Sequence, residues 1–334
     1  MAQIFPSASA PHIRTSDSVS KIMLDVLIAL IPAVIVSVFV FGWSALVLCL
    51  MGVIVAEALE LFIMKVLRKK KDFIPDGSAA VTGLLLAMNM PAGFPWYLFI
   101  IGILVAIGLG KHVYGGLGSN PFNPALVGRI FLVISFPAAM SNYYKPGIWK
   151  TIDSLSTAAS PVVTGATPMG LLKEGGLQNA LQNHTYMDMF LGNTGGALGE
   201  VCALALIIGF VYLLVKKHVS WHIPVAYIGT VLVISSVFYL INPDQYGTPL
   251  YHLLGGGLML GALFMATDMV TSPSTVKGSL IYGMGCGIIT MLIRIAGALP
   301  EGVAFSILIM NAVKPLIDRW TRRRPFGALK KEAQ

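Results

Sequence analysis

Apolar runs dominate the chain and set its elements. Eight of them, near 22–41, 44–66, 96–110, 125–141, 197–215, 222–241, 279–297 and 302–317, approach the length a helix needs to cross a membrane. That length is about 20 residues for ~30 Å of hydrocarbon. Two further runs are short: GSAAVTGLLLAMNMP (77–91) and GGGLMLGALFMATDMV (255–270). Each is rich in glycine, ends in a polar residue beside methionine, and is followed by proline within a few residues. The pattern predicts an all-α polytopic membrane protein of about ten transmembrane helices.

A polar stretch at 142–196 divides these spans into two sets of five, and the sets echo each other. The short run is third in each; MNM (88–90) resembles TDM (267–269), and GGLGSNPFNPA (115–125) resembles GALPEGVAFSI (297–307). Five is odd, so the second set enters from the opposite side, and the prediction is two inverted five-helix repeats. Short, Gly/Pro-interrupted segments at matching positions mark broken helices around a midplane site. Irregular backbone at that depth must be buried in protein or line a cavity. The predicted organisation is therefore a cytoplasmic segment 1–21, a first repeat 22–141, an extracytoplasmic loop 142–196, a second repeat 197–318 and a basic cytoplasmic tail 319–334.

Composition agrees with the pattern. Of 334 residues, 56% are apolar and 11% charged, whereas a soluble domain carries about 25% charged residues. The net charge of +8 is no signal for nucleic acid, because the basic residues cluster beside spans: RKKK (68–71), Lys111, Lys216, Lys217, Lys277 and RRR (322–324). By the excess of Lys and Arg on cytoplasmic loops, both termini lie inside and the 142–196 loop, with Lys145, Lys150 and Lys173, lies outside. Residues 1–20 are polar and do not read as a cleavable signal. Cys49, Cys202 and Cys286 all fall in apolar runs without CxxC spacing, so neither a disulfide framework nor a metal site is expected. The scattered histidines have no metal-ligand spacing, and no catalytic residue is assigned.

Ionisable residues in apolar runs are costly and point to function. Asp25 is spaced to pair with Lys21, and Glu60 with Lys65. Glu57 and Glu60 share a helix face. Asp268 ends a short run where freed backbone groups gather, and with Asn89, at the matching place in the first half, it is a candidate contact for a cofactor or ion. Arg294 is a candidate phosphate partner or a side chain reaching for the interface. In GGLGSNPFNPA the glycines allow close backbone approach, and Asn120 and Asn123 supply donors; GxGxxG spacing is absent. In the outer loop, TGATP (164–168) places Thr167 and Pro168 as N-cap and first residue of a short helix over MGLLKEGGL. A phosphate joined to the cap hydroxyl would meet the unpaired N–H groups of that helix start.

The stretches PHIRT, DGSAAVTGLLLAMNMP, KHVYGGLGSNPFNPALVGRIFLVISFP, TGATP, WHIP and GVAFSILIMNAVKPLID carry a family resemblance along nearly the whole chain. The chain resembles the D subunits of Rnf complexes and, more distantly, the B subunits of sodium-pumping NADH:quinone reductases. The resemblance implies an (S/T)GAT motif in which a threonine hydroxyl is joined to FMN through a phosphodiester. Here that residue is Thr167, with Thr164, Gly165 and Ala166 completing the motif. Where the family often has an aspartate three residues before the motif, this chain has Pro161. The resemblance further implies a flavin transferase for maturation and a second, non-covalent flavin (riboflavin). It also implies the A, B, C, E and G subunits of Rnf as partners in the bacterial cell membrane. Electrons in Rnf start at ferredoxin or NADH on the cytoplasmic side, and ~30 Å of hydrocarbon is too far for one useful tunnelling step. Some carrier must sit within the membrane, and Asn89, Asn123, Asp268 and Arg294 are the candidate contacts of that second flavin, of a phosphate or of a coupled ion. The expected function is that of a membrane flavoprotein subunit of an ion-translocating ferredoxin:NAD⁺ oxidoreductase. The rival class is a five-plus-five solute channel or transporter without a redox cofactor.

Overall fold

Helices α1 (Val19–Phe41) and α2 (Trp43–Phe62) open the computed structural model, which describes residues 18–70, 72–144, 146, 166–200, 202–297 and 300–322. Ser18 caps α1 by accepting from the Lys21 N–H, and Gly42, at φ 77°, turns the chain directly into α2. A π-helical turn, Ile63–Leu67, extends α2. The short third run forms α3 (Ser78–Met88), in which every residue is buried. α4 (Trp96–Leu104) continues as a π-helical stretch, Val105–His112, and α5 (Pro124–Ser135) and α6 (Pro137–Met140) follow.

The polar stretch contributes α7 (Pro168–Asn183), kinked at Gly176, and α8 (Tyr186–Leu191). Then come α9 (Ala203–Val215), α10 (His222–Ile241), α11 (Pro243–Tyr246), α12 (Pro249–Leu254) and α13 (Leu258–Leu260) with its π-helical extension Gly261–Met265. α14 (Val276–Ala296) and α15 (Val303–Trp320) close the described fold. Among the described residues there is no strand; an antiparallel bridge joins Pro91 and Ala197. The protein is all-helical and carries several membrane-spanning apolar helices. α1, α2 with its π turn, α10 and α14 are each long and apolar enough to cross, and the pair 243–254 and 258–265 qualifies as one span bent by 45°. α3, α4 with its extension, α5 and α9 are apolar but shorter.

Close packing depends on missing side chains at one crossing in particular. A Cβ on Gly83 of α3 would stand 2.0 Å from the Gly52 carbonyl oxygen of α2, and one on Gly52 would stand 2.5 Å from that of Gly83. The backbones touch, as small residues allow between helices in lipid, and α3 is thereby held fully inside the bundle.

The breaks in the two short helices are satisfied by protein. Beyond α3, the carbonyls of Met88 and Met90 accept from the Gly199 and Leu198 N–H groups at 2.6 and 3.0 Å. Those donors come from beyond the polar stretch, where 197–200 runs irregularly ahead of α9. Between α12 and α13 the break is Gly255–Gly256–Gly257, with positive φ at Gly256 and Gly257.

Candidate functional site

Thr167 is the N-cap of α7: its hydroxyl accepts from the Gly170 N–H at 3.2 Å, and Pro168 occupies the first helical position. Ala166 is exposed and Thr167 is buried, so the motif enters the protein between them. Thr164 and Gly165 lie outside the described residues, as do 147–163 and the tail from 323. The helix start is fastened to the bent pair behind it. The Tyr251 hydroxyl of α12 donates to the Pro168 carbonyl at 3.0 Å, and Met169, Leu172, Leu177, Ala180, Met189 and Tyr251 form a separate small core.

Two titratable groups lie beside this segment. Burial holds His184 below the usual imidazole range, against a bond to the Ala166 backbone that favours the charged ring. Asp188 closes a capping box with Thr185, and the Thr185 hydroxyl foremost, with Asn193, holds its carboxyl below the usual range.

The ends of the two short helices meet at Met265. The Asn123 amide donates to the Met265 carbonyl at 3.3 Å, while the Asn89 amide donates to Leu85 at 2.6 Å and lies 3.6 Å from the Met265 sulfur. Asn123 also caps α5 by accepting from the Ala125 N–H. The neighbouring Asn120 is buried, and its Oδ1 has no hydrogen-bond partner.

Asp268 stands apart from this pair. It accepts from the Thr271 hydroxyl at 2.9 Å and lines a cleft with Met23, Phe264, Thr267 and His218.

Arg294 is buried at the glycine break. Its guanidinium donates to the carbonyls of His252 (2.6 Å), Gly255 (2.9 Å), Gly256 (3.2 Å) and Glu301 (3.1 Å). It thus supplies donors to carbonyls that the interrupted helix leaves free. Arg294 and Met169 both crowd the Gly256 Cα, where an added Cβ would meet each at 2.9 Å. The candidate phosphate partner and the helix of Thr167 are therefore neighbours.

Several pairings differ from the spacing in sequence. Glu60 meets Lys111, at 2.5 Å, with both side chains nearly inaccessible. The π-helical extension of α4 carries Lys111 inward, where it also reaches the Ser78 hydroxyl at 2.6 Å, so Lys111 is not a loop cation. Glu57 accepts from the Ala80 N–H at 3.0 Å and caps the start of α3. Asp25 accepts from Tyr212 at 2.6 Å and His218 at 2.8 Å, both from the second half.

A charged network has no counterpart in the sequence pattern. Arg129 of α5 donates to Asn89 and to Glu301, has Glu200 at 3.6 Å, and Tyr143 donates to Glu301 at 3.2 Å. Its members come from 129, 143, 200 and 301, and only their placement at the edges of apolar runs hints at burial. Among the described residues, no group of three or more His, Cys, Asp or Glu is arranged to hold a metal, and the three cysteines are free and buried.

An all-helical bundle with interrupted helices, buried ion pairs and polar ends meeting inside it defines a multi-pass membrane protein built around an internal polar centre. The family model described as NQR2, RnfD, RnfE matches residues 7–327. The chain belongs to this family. It is 46% identical over 329 residues to the D subunit of the proton-translocating ferredoxin:NAD⁺ oxidoreductase complex of Clostridium ljungdahlii, covering 97% of this chain and 96% of that one. To the D subunit of the Na⁺-translocating ferredoxin:NAD⁺ oxidoreductase complex of Acetobacterium woodii it is 44% identical over 334 residues, covering 98% and 97%. The D subunit of an ion-translocating oxidoreductase complex of Escherichia fergusonii is 36% identical, over 97% of this chain and 99% of that one.

Proposed function

We propose that the chain is the D-type membrane flavoprotein subunit of an Rnf complex. In this reading it carries electrons through FMN joined covalently to Thr167, within ferredoxin:NAD⁺ electron transfer coupled to Na⁺ or H⁺ translocation. The observation that carries the reading is the family match over nearly the whole chain, to relatives named as ferredoxin:NAD⁺ oxidoreductase subunits. Those two relatives are named for different ions at 46% and 44% identity, so likeness alone does not choose the ion.

The position of Thr167 fits the attachment. A phosphodiester at its Oγ1 stands at a helix start, where first-turn N–H groups lack intrahelical partners and the helix dipole favours negative charge. Pro168 sets the helix geometry at its first position, and exposed Ala166 gives a flavin transferase an approach. FMN, when bound, supplies reversible electron transfer, and the protein's part is to position it and tune its potential. Arg294, beside Met169, is the candidate phosphate contact, and would have to exchange a carbonyl for the phosphate.

Asn89, Asn123 and Asp268 are the candidate contacts of a second, non-covalent flavin, riboflavin, or of the coupled ion. The orphaned Asn120 Oδ1 beside Asn123 supports a ligand near these amides. In this reading ten helices form two inverted repeats, both termini are cytoplasmic, and the α7–α8 segment lies outside the cell membrane. The partners are the A, B, C, E and G subunits of Rnf.

Intact mass is the deciding experiment. From a host with a flavin transferase, the chain should exceed its sequence mass by one FMN less water, and Thr167→Ala should abolish the excess. Loss of the excess in Thr164→Ala but not in Thr167→Ala would move the attachment to the other hydroxyl. No added mass and no flavin fluorescence in the denatured chain would favour a channel or transporter without a cofactor.

A further inference from the structure

The Arg129 network holds two carboxylates around a single guanidinium. Glu301 takes the close contact with Nη2, Nη1 is given to Asn89, and Glu200 Oε1 is left 3.6 Å from Nη2 with no hydrogen-bond partner. The Glu200 side chain is only 7% exposed, and its Oε1 is shut off from bulk solvent. Every charged or titratable group facing it is already engaged. Arg294 of α14 donates to four backbone carbonyls, one of them that of Glu301, and Tyr143, just after α6, donates to Glu301.

The backbone gives the carboxylate one hydrogen bond, from Ala197, and otherwise closes tightly on it. A Cβ on Gly257 would stand 2.6 Å from Glu200 Oε1, and one on Gly196 would stand 3.3 Å from Oε2. An ionised carboxylate with one oxygen lacking a donor is costly in such a place, and two carboxylates sharing the Arg129 guanidinium, with Arg294 acting on them only by its charge, are most stable with a proton on one of them.

We propose that Glu200 is a proton-binding site, taking up and releasing one proton beside the Arg129–Glu301 ion pair at the junction of the two interrupted helices. The step is a simple acid equilibrium: the carboxylate accepts a proton from hydronium, leaves water, and no electron moves. Glu301, 16% exposed, is the more accessible carboxylate and gives the proton its route to solvent. The site joins α5, the 197–200 segment, the Gly255–Gly257 break and the start of α15. A change in its charge therefore acts on both short helices at once. That it serves ion transfer rests on the function proposed above; the proton itself does not.

Infrared difference spectra of the full chain in detergent, taken across a pH titration, test the site without a flavin or a partner. A protonated-carboxyl C=O band that shifts in D₂O should be lost in Glu200→Gln, and in Glu301→Gln, where Glu200 is left as the one carboxylate beside Arg129, it should disappear at a lower pH than in the wild type. Glu200→Asp should move the band rather than abolish it, which keeps the test open should the glutamine variant fail to fold. Retention of the whole band in Glu200→Gln, or an unmoved band in Glu200→Asp, would overturn the assignment. Loss of the wild-type band on adding Na⁺ at constant pH would overturn it in favour of a cation site. Absence of FMN mass with these spectra intact would sink the electron-carrier reading and leave the proton site standing.

Discussion

The Tyr251 hydroxyl, fully buried in α12, donates to the carbonyl of Pro168, the residue next to the candidate flavin threonine. The bond ties the start of α7 to the bent pair. Tyr251→Phe removes the donor while keeping the ring that packs edge-on against Tyr186. The Pro168 carbonyl then keeps its bond within α7 and loses the one from Tyr251, at a cost of about 0.5–1.5 kcal/mol. The expected result is a lower thermal midpoint in detergent, with the proposed Thr167 adduct, read by mass, unaffected. An unchanged midpoint would show that the bond contributes nothing to anchoring α7.

Lys111 and Glu60 form the buried pair at the start of α3. Lys111→Met leaves Glu60 with the His112 ring at 3.3 Å in place of its lysine, and removing one partner of a buried pair costs up to about 3–5 kcal/mol. Adding Glu60→Gln should restore much of the loss. A double-mutant cycle on thermal stability reads this directly, and additive effects of the two substitutions would refute the pairing.

Gly83 faces the Gly52 carbonyl too closely for any side chain. Gly83→Ala must push α3 from α2, at roughly the 1–3 kcal/mol typical of overpacking, whereas Gly229→Ala, with open space around it, should be near neutral. Equal melting temperatures for the two variants would show that the crossing gives way freely.

Acid should loosen the α7–α8 segment. His184 has its folded value below the ordinary 6.5, so the unfolded segment binds the extra proton, and stability is lost as pH falls below that ordinary value. Asp188 is likewise held below its ordinary 3.8, and its share is lost only as pH falls through the range under that value. Hydrogen exchange of α7–α8 peptides, corrected for intrinsic rates, should accelerate on acidification from neutral pH, and His184→Gln should remove the first phase. A first phase surviving in His184→Gln would assign it elsewhere.

Orientation is open to labelling. The native cysteines are buried, so a cysteine introduced at exposed Glu174 should react with an impermeant thiol reagent in intact cells, and one at exposed Asp72 only after lysis. The reverse pattern would invert the topology.

Hydrophobic length makes much of this fold legible. The run at 222–241 is the helix His222–Ile241, and the short run at 77–91 holds Ser78–Met88. Thr167 and Pro168 are N-cap and first residue because both roles depend on local chemistry that sequence displays. Burial of charge is legible only where a charge sits inside a run. Lys111 reads as a loop cation, since nothing in the pattern announces a π-helical extension that draws it inward. Arg129 and Glu301 lie 172 positions apart, and a single sequence carries no measure of that distance in space. Asp25 and Glu60 likewise find partners across the fold rather than four or five residues away.

The capping of α3 by Leu198 and Gly199 has a consequence for cutting the protein. The end of the first short helix is completed by donors encoded more than 100 residues later, on the far side of the polar stretch. A polypeptide stopping before that stretch would insert α3 with the Met88 and Met90 carbonyls bare inside the bundle. The two halves should therefore fail as separate products yet recover when co-expressed, because each is a template on which the other finishes folding.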